Sequence, residues 1–334
     1  MSDDKPVLQV RGLKKNYSSG RFGFFSASND VPAVAGIDFD LYGGETLGLV
    51  GESGCGKSTT ARMLAGIEKP TAGSIRFHGQ ELVGMSARDR KPLRPKIQMV
   101  FQDNYASLNP RRRVFDILAE PMLYHGLVTK KEVGGRIEEL LDMVGLSKSA
   151  ADRYPAEFSG GQRQRISIAR SLSLHPEILI CDEPVSALDV SIQAQILNLL
   201  KDLQKKLGVS YLFIAHGLGA VHYSSDRIAV MYLGKIVETG ESEAVFQHPL
   251  HPYSQLLIAA VPLADPTRRT LDKVQFKGEV PSGSQAIQGC RFAPRCPFAE
   301  ERCFKEEPVL EMRVDEAGFT HQVACFYVRG GRKP

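Results

Sequence analysis

The residues Gly51-Glu52-Ser53-Gly54-Cys55-Gly56-Lys57-Ser58 fit the pattern G-x-x-x-x-G-K-[ST], directly after the apolar run Thr46 to Val50 and before the helical run Thr59 to Ala65. A strand, this loop and a helix, in that order, make a phosphate-binding loop. The glycines let successive backbone N–H groups turn inward around phosphate oxygens, and the positive end of the following helix adds to the field. Lys57 is then expected to reach the β and γ phosphates, and the Ser58 hydroxyl to hold Mg2+. Cys55 fills a variable position and is expected to be structurally neutral. A second apolar run, Ile178-Leu179-Ile180-Cys181, ends in Asp182 and Glu183. That arrangement delivers a carboxylate to a metal at the carboxyl end of a sheet. Asp182 is assigned to Mg2+, and Glu183 to the general base that activates a water for attack on the γ phosphate.

A third segment, Phe158-Ser159-Gly160-Gly161-Gln162-Arg163-Gln164-Arg165, begins a helix at Ser159, whose side chain can cap it. Gly160 and Gly161 allow backbone N–H groups to close on an anion there, which makes a second anion site distinct from the first. Four cysteines, Cys290, Cys296, Cys303 and Cys325, are spaced C-x5-C-x6-C-x21-C. Thiolates grouped this closely suit a soft metal centre, yet the C-x2-4-C pairs usual in tight zinc sites are absent. An iron–sulfur centre, zinc and plain thiols are the three readings of this spacing.

These residues need a scaffold that alternates strands with helices. Thr46 to Val50, Ile97 to Phe101, Ile178 to Cys181 and Tyr211 to Ala215 read as buried strands, with helical segments between them, which implies a largely parallel α/β sheet. Ile192, Ile196, Leu199, Leu203 and Leu207 are expected to form the buried stripe of one helix. Val7 to Val10 and Val34 to Leu41 look like an antiparallel β region, with Gly43-Gly44 turning into the first core strand. The stretch from about 103 to 158 reads as an inserted helical subdomain. Beyond Gly240 proline becomes frequent and periodicity fades, so residues 1–240 are expected to form one domain and 241–334 a small irregular C-terminal one.

Lys plus Arg number 42 and Asp plus Glu 38, a net charge of +4 that names no acidic partner and gives no footprint for nucleic acid. Hydrophobic residues at 43% are enough for a substantial core and exclude wholesale disorder. No run approaches the ~20 apolar residues that cross a bilayer. The first residues have neither a basic nor an apolar leader region, so a cytosolic setting with reduced thiols is expected. Arg111-Arg112-Arg113 and Lys130-Lys131 read as solvated faces, with lipid headgroups or a membrane partner's loops as the alternative.

Taken in order, these segments resemble the ATP-binding cassette (ABC) ATPases, whose signature is Leu-Ser-Gly-Gly-Gln; Phe158 stands where Leu is usual. The resemblance implies a P-loop NTPase cassette fold, ATP and Mg2+ as cofactors, and roles for further residues. Gln102 matches the Q-loop glutamine that senses Mg2+ and water and contacts the transport partner. Ser186-Ala187-Leu188-Asp189 matches the D-loop, and His216 matches the switch histidine at the γ phosphate. Tyr17 stands where an aromatic ring stacks on adenine. Gly51, Ser53, Gly54, Cys55, Gly56, Lys57, Ser58 and Thr59 would then surround the phosphates. In such ATPases two cassettes pair head to tail, so Ser159, Gly160, Gly161 and Gln162 would act on a nucleotide bound mainly by the partner, a copy of this chain or, as expected, a paralogue, and Asp189 is counted among the nucleotide-binding residues. The chain departs from similar importers at Gly217, where Asp commonly follows the switch histidine.

Asn104-Tyr105-Ala106-Ser107-Leu108-Asn109-Pro110-Arg111 and His251-Pro252-Tyr253 narrow the resemblance to the dipeptide/oligopeptide importer ATPases, and within them to the second of two paralogous subunits. Asn104 replaces a usual Pro. The resemblance implies ATP-driven uptake of peptides across the inner membrane from its cytoplasmic face, two permease subunits, and indirectly a substrate-binding protein. It also implies a [4Fe-4S] cluster on Cys290, Cys296, Cys303 and Cys325. Nickel or glutathione import shares this tail and is the alternative cargo. A soluble cassette ATPase outside transport would instead show tandem cassettes or a basic groove.

Overall fold

The computed structural model describes residues 5–18, 30–103, 107–261 and 288–328. Asn104, Tyr105 and Ala106, part of the segment that narrowed the resemblance, lie outside the described residues, as do Pro262, Pro266 and Pro281. The strands are β1 (Leu8–Ser18), β2 (Asp30–Leu41), β3 (Thr46–Val50), β4 (Ala72–Phe77), β5 (Gln80–Glu81), β6 (Ile97–Val100), β7 (Ile178–Asp182), β8 (Ser210–Ala215), β9 (Arg227–Tyr232), β10 (Lys235–Glu241), β11 (Glu311–Val314) and β12 (Thr320–Val323). The helices that matter below are α1 (Lys57–Leu64), α2 (Val114–Tyr124), α3 (Val133–Met143), α4 (Gly160–Leu172), α5 (Val190–Leu207), α6 (Leu218–Ser224), α7 (Ser242–Gln247) and α8 (Pro252–Ala259). The chain divides into two compact units, one of Met1–Val7, Leu41–Thr46 and Gly84–Ala215, the other of Leu8–Asp40, Leu47–Val83 and His216–Pro334.

In the first unit β6, β7 and β8 run parallel, in register Val100↔Cys181 and Asp182↔Ile214. Leu179, Ile180 and Cys181 are fully buried, as a strand covered on both faces requires. The helices α2, α3 and α4 belong to this unit and bury Leu118, Leu140 and Ile168. Asp189 caps α5, accepting the Ile192 N–H at 3.0 Å, and Gly208 ends it in the left-handed region at φ 67°. The buried face of α5 is Ile196, Leu197, Leu200 and Leu203. This corrects the expected stripe: Leu207, in the last turn, is 43% exposed, and Leu197 and Leu200 take the inward positions.

The second unit contains an antiparallel sheet in the order β2-β1-β4-β5. It also contains β3, which runs parallel to β9 and is buried along its whole length. A two-residue turn, Leu233 and Gly234, both at positive φ, joins β9 to β10 as a tight hairpin. Position 240 falls inside β10, and the tail strands continue its pairing through Glu238↔Val323 and then β12 to β11. The join is anchored by a buried polar cluster. The Glu238 carboxylate accepts the Leu250 and His251 N–H groups at 2.9 Å each and meets His321 Nδ1 at 3.1 Å, while Asp315 lies 3.6 Å from His321 Nε2. All three side chains are essentially fully buried.

Candidate functional site

In the second unit β3 feeds the phosphate loop and α1 begins at Lys57. Only glycine fits at two loop positions. A Cβ on Gly51 would lie 2.1 Å from the Met231 carbonyl oxygen, and one on Gly56, at φ +108°, would lie 2.3 Å from that of Ala33. Ser53 and Gly54 are exposed, and Ser58 and Thr59 half-buried. Lys57 is buried, and its ammonium donates to the carbonyl oxygens of Gly51 at 2.7 Å and Glu52 at 2.9 Å. The buried Cys55 Sγ lies 3.7 Å from the same ammonium, and burial pushes its thiol up. Tyr17 donates from its hydroxyl to Glu68 and is 40% exposed as a residue, with Lys15 Nζ 5.1 Å from the ring centroid. His216, directly after β8, is exposed, and Gly217 precedes α6 with φ −83°.

In the first unit Asp182 ends β7 and Glu183 follows it directly, both nearly fully buried. Glu183 adopts φ 50°, a conformation uncommon outside glycine. Its N–H donates to Ile214 O at 2.9 Å, and its carboxylate accepts Gln102 Nε2 at 2.6 Å. Two residues singled out separately in the sequence thus meet. Ser186 Oγ donates to the Glu183 carbonyl at 3.1 Å, tying the D-loop segment to the same residue. At the signature segment Ser159 Oγ accepts the Gln162 N–H at 3.3 Å, and Gln162 Oε1 accepts the Ser159 N–H at 3.1 Å, a reciprocal cap. Gly161 has a packing reason beyond any anion: a Cβ there would lie 2.5 Å from Ile192 Cγ2. Gly160 is closest to Leu188 Cδ2, at 3.3 Å from an added Cβ. Phe158 is buried, and the Arg153 guanidinium sits 4.3 Å above its ring.

The four tail cysteines line one small cavity with His251, Phe292 and Phe298 among its walls. Burial raises the thiols of Cys290, Cys296 and Cys325, Cys296 to about 11 and Cys325 to about 12, and the neighbouring cysteines add to the rise. Among the described residues no group of three or more His, Cys, Asp or Glu side chains could hold a metal ion as placed, so the expected cluster has no ligating geometry behind it. Cys325 Sγ instead donates to the Tyr327 carbonyl at 2.7 Å.

Sequence reasoning missed a second grip on the phosphate loop. The Glu52 N–H donates to the Tyr253 hydroxyl oxygen at 2.8 Å, and Arg295 donates to both Glu52 carboxylate oxygens, at 2.8 and 3.1 Å. Tyr253 belongs to the His251-Pro252-Tyr253 run read only as a family marker, and Arg295 carried no motif at all.

The model of the ABC transporter family matches residues 34–186, and that of the oligopeptide/dipeptide transporter C-terminal region matches residues 237–303. Over 328 residues the chain is 47% identical to the oligopeptide transport ATP-binding protein OppF of Salmonella typhimurium, covering 97% of each chain. The chain belongs to the ABC transporter ATPases. It is also 48% identical to the oligopeptide transport ATP-binding protein AppF of Bacillus subtilis, over 97% of this chain and 98% of that one. Among solved structures, the dimeric post-hydrolysis ATP-binding cassette MJ0796 bound to ADP and Pi superposes with a TM-score of 0.62 and 26% identity. That match covers 70% of this chain and 98% of the other. The ABC cassette fold accounts for the P-loop, the parallel strands and the helical insertion, and the described residues include no helix long and apolar enough to cross a membrane.

Proposed function

We propose that this chain is the ATP-hydrolysing subunit of a peptide importer, working at the cytoplasmic face of the inner membrane as a peripheral subunit. It docks on two permease subunits, pairs with a second, paralogous cassette, and is served indirectly by a substrate-binding protein; no nucleic acid is involved. The observation that carries this reading is the pairing, on one chain, of the cassette motifs with a tail that matches the oligopeptide/dipeptide transporter region.

In this reading Lys57 offsets charge on the β and γ phosphates, and the loop N–H groups hold the phosphate oxygens. Ser58, Asp182 and Gln102 are the residues that would hold Mg2+, which supplies charge neutralisation between the phosphates. Glu183 takes the proton of the attacking water, with Gln102 holding the carboxylate in place, and His216 faces the γ phosphate. Tyr17 offers its exposed ring to adenine. Ser159, Gly160, Gly161, Gln162 and Asp189 serve the partner cassette's nucleotide.

Cys290, Cys296, Cys303 and Cys325 fit a [4Fe-4S] cluster by donor chemistry, four thiols lining one largely apolar cavity, and are the residues that would hold it. Such a group would staple the Pro-rich tail. Iron and broad visible absorbance in anaerobically purified protein test it, and their absence removes the cluster from this reading. Purification of the assembled complex, with mass spectrometry of its subunits and bound solute, tests the transport assignment. Permease subunits carrying peptide are expected; a complex with nickel, glutathione or no permease would overturn it.

A further inference from the structure

Glu52 is the second residue of the phosphate loop, and its N–H and its carboxylate are both turned to the tail. A phosphate loop works through N–H groups that face its ligand. The Glu52 N–H is committed elsewhere, to the Tyr253 hydroxyl. Its carboxylate is an anion one residue from Gly51, in a loop built to hold polyphosphate, and unpaired it would repel that ligand. Arg295 neutralises it with a parallel two-point pair, the geometry in which a guanidinium matches a carboxylate best.

Both tail residues are themselves held. The Arg295 side chain is only 10% exposed, donates to the Tyr232 hydroxyl at 3.4 Å, and lies 5.8 Å from the ring centroids of both Tyr232 and Phe292. Tyr253 packs its ring 4.6 Å from Tyr232 and 5.5 Å from Phe292. Its own N–H donates to His251 Nδ1 at 3.0 Å, which fixes the start of α8. The N–H groups of Leu250 and His251 are anchored on Glu238. Arg291 closes the arrangement by donating to the carbonyl of Leu233 in the β9–β10 turn. The His-Pro-Tyr run thus has a physical role: it delivers one hydroxyl beneath the phosphate loop.

We propose that Arg295 and Tyr253 are positioning residues of the ATP site, holding Glu52 turned to the tail so that the first turn of the phosphate loop is fixed and its carboxylate stays neutralised. The same grip sets the Glu52 carbonyl, one of the two oxygens on which the Lys57 ammonium rests. This inference rests on the reading that the loop binds MgATP.

The test uses the full-length chain and MgATP titrated by calorimetry, with thermal unfolding of each variant measured without nucleotide. Arg295→Ala is expected to weaken MgATP binding about tenfold. Adding Glu52→Gln to it is expected to restore binding to within about threefold of wild type, because the unpaired carboxylate is then gone. Tyr253→Phe, which keeps the ring packing and removes the acceptor, is expected to weaken binding about fivefold and decides the matter if Arg295→Ala does not fold. Wild-type affinity in folded Arg295→Ala and Tyr253→Phe would overturn the inference. A loss in Arg295→Ala that persists in the double variant would do so too, since it marks a tail that acts only by holding the fold. If the wild-type chain fails to bind MgATP, the nucleotide reading falls, and the inference with it.

Discussion

Glu183 and Glu52 both follow a buried β-strand into a nucleotide motif, one in each unit, yet their carboxylates meet different partners. Glu183 directly follows β7 and accepts from a neutral amide, Gln102 Nε2, at 2.6 Å. Glu52 follows β3 and is gripped at two points by the Arg295 guanidinium. A carboxylate that must take up a proton is best served by a donor that orients it without adding positive charge, since a cation would favour its ionised form. A carboxylate beside a polyanion ligand needs the opposite, a full compensating charge. Glu238 is a third case: its partners are two backbone N–H groups and His321, and its place is the buried join between β10 and the tail. The residue type is the same in all three, and the donors differ: a neutral amide at the proposed base, a guanidinium beside the phosphate loop, and backbone N–H groups with an imidazole at the join to the tail.

Removing donors breaks or sharpens this contrast. His321→Leu leaves Glu238 and Asp315 buried without the imidazole between them and should destabilise the chain by about 3–5 kcal/mol, read from urea unfolding. An effect below about 1 kcal/mol would show that the backbone N–H groups alone satisfy Glu238. Gln102→Leu strips Glu183 of its amide and should lower ATP turnover by about ten- to a hundredfold, the worth of a hydrogen bond to a charged group, a larger loss than the one in MgATP affinity that follows from removing a residue read as holding Mg2+. Lost affinity with unchanged turnover would reverse the contrast drawn between the two glutamates. Gly161→Ala drives a methyl against Ile192 and should cost about 1–3 kcal/mol of stability by overpacking, with no charge involved. Gly217→Asp marks the lower limit. The backbone there is at φ −83° and an added Cβ meets nothing within 4 Å, so stability should stay within about 0.5 kcal/mol. Hydrolysis by the wild-type assembly should not need that carboxylate, and a wild-type complex made active only by Gly217→Asp would contradict this.

Features set by neighbouring residues were legible in the sequence. The phosphate loop sits between β3 and α1, Ser159 caps α4, and Asp182 ends β7, because strand ends, caps and glycine turns are local events. Pairings across the chain were not legible. Gln102 and Glu183 are 81 positions apart and Glu52 and Arg295 243, and nothing in either local pattern announces the other. The short strands of the tail were not legible for another reason. Its prolines erase periodicity, yet β11 and β12 are only four residues each and draw their order from pairing with β10. In α5 the face chosen by i, i+4 spacing alone ran on to Leu207, whereas packing selected Leu197 and Leu200. The cysteine spacing gathered four thiols around one cavity without showing what they hold.

The assignment of Glu183 as the base is tested most directly by Glu183→Gln, with phosphate release and bound MgATP measured on the same assembled complex. Turnover at least about a hundredfold below wild type, with nucleotide occupancy retained in a closed cassette pair, is the expected result. Unchanged turnover would contradict it and leave the Gln102–Glu183 pair without a catalytic role.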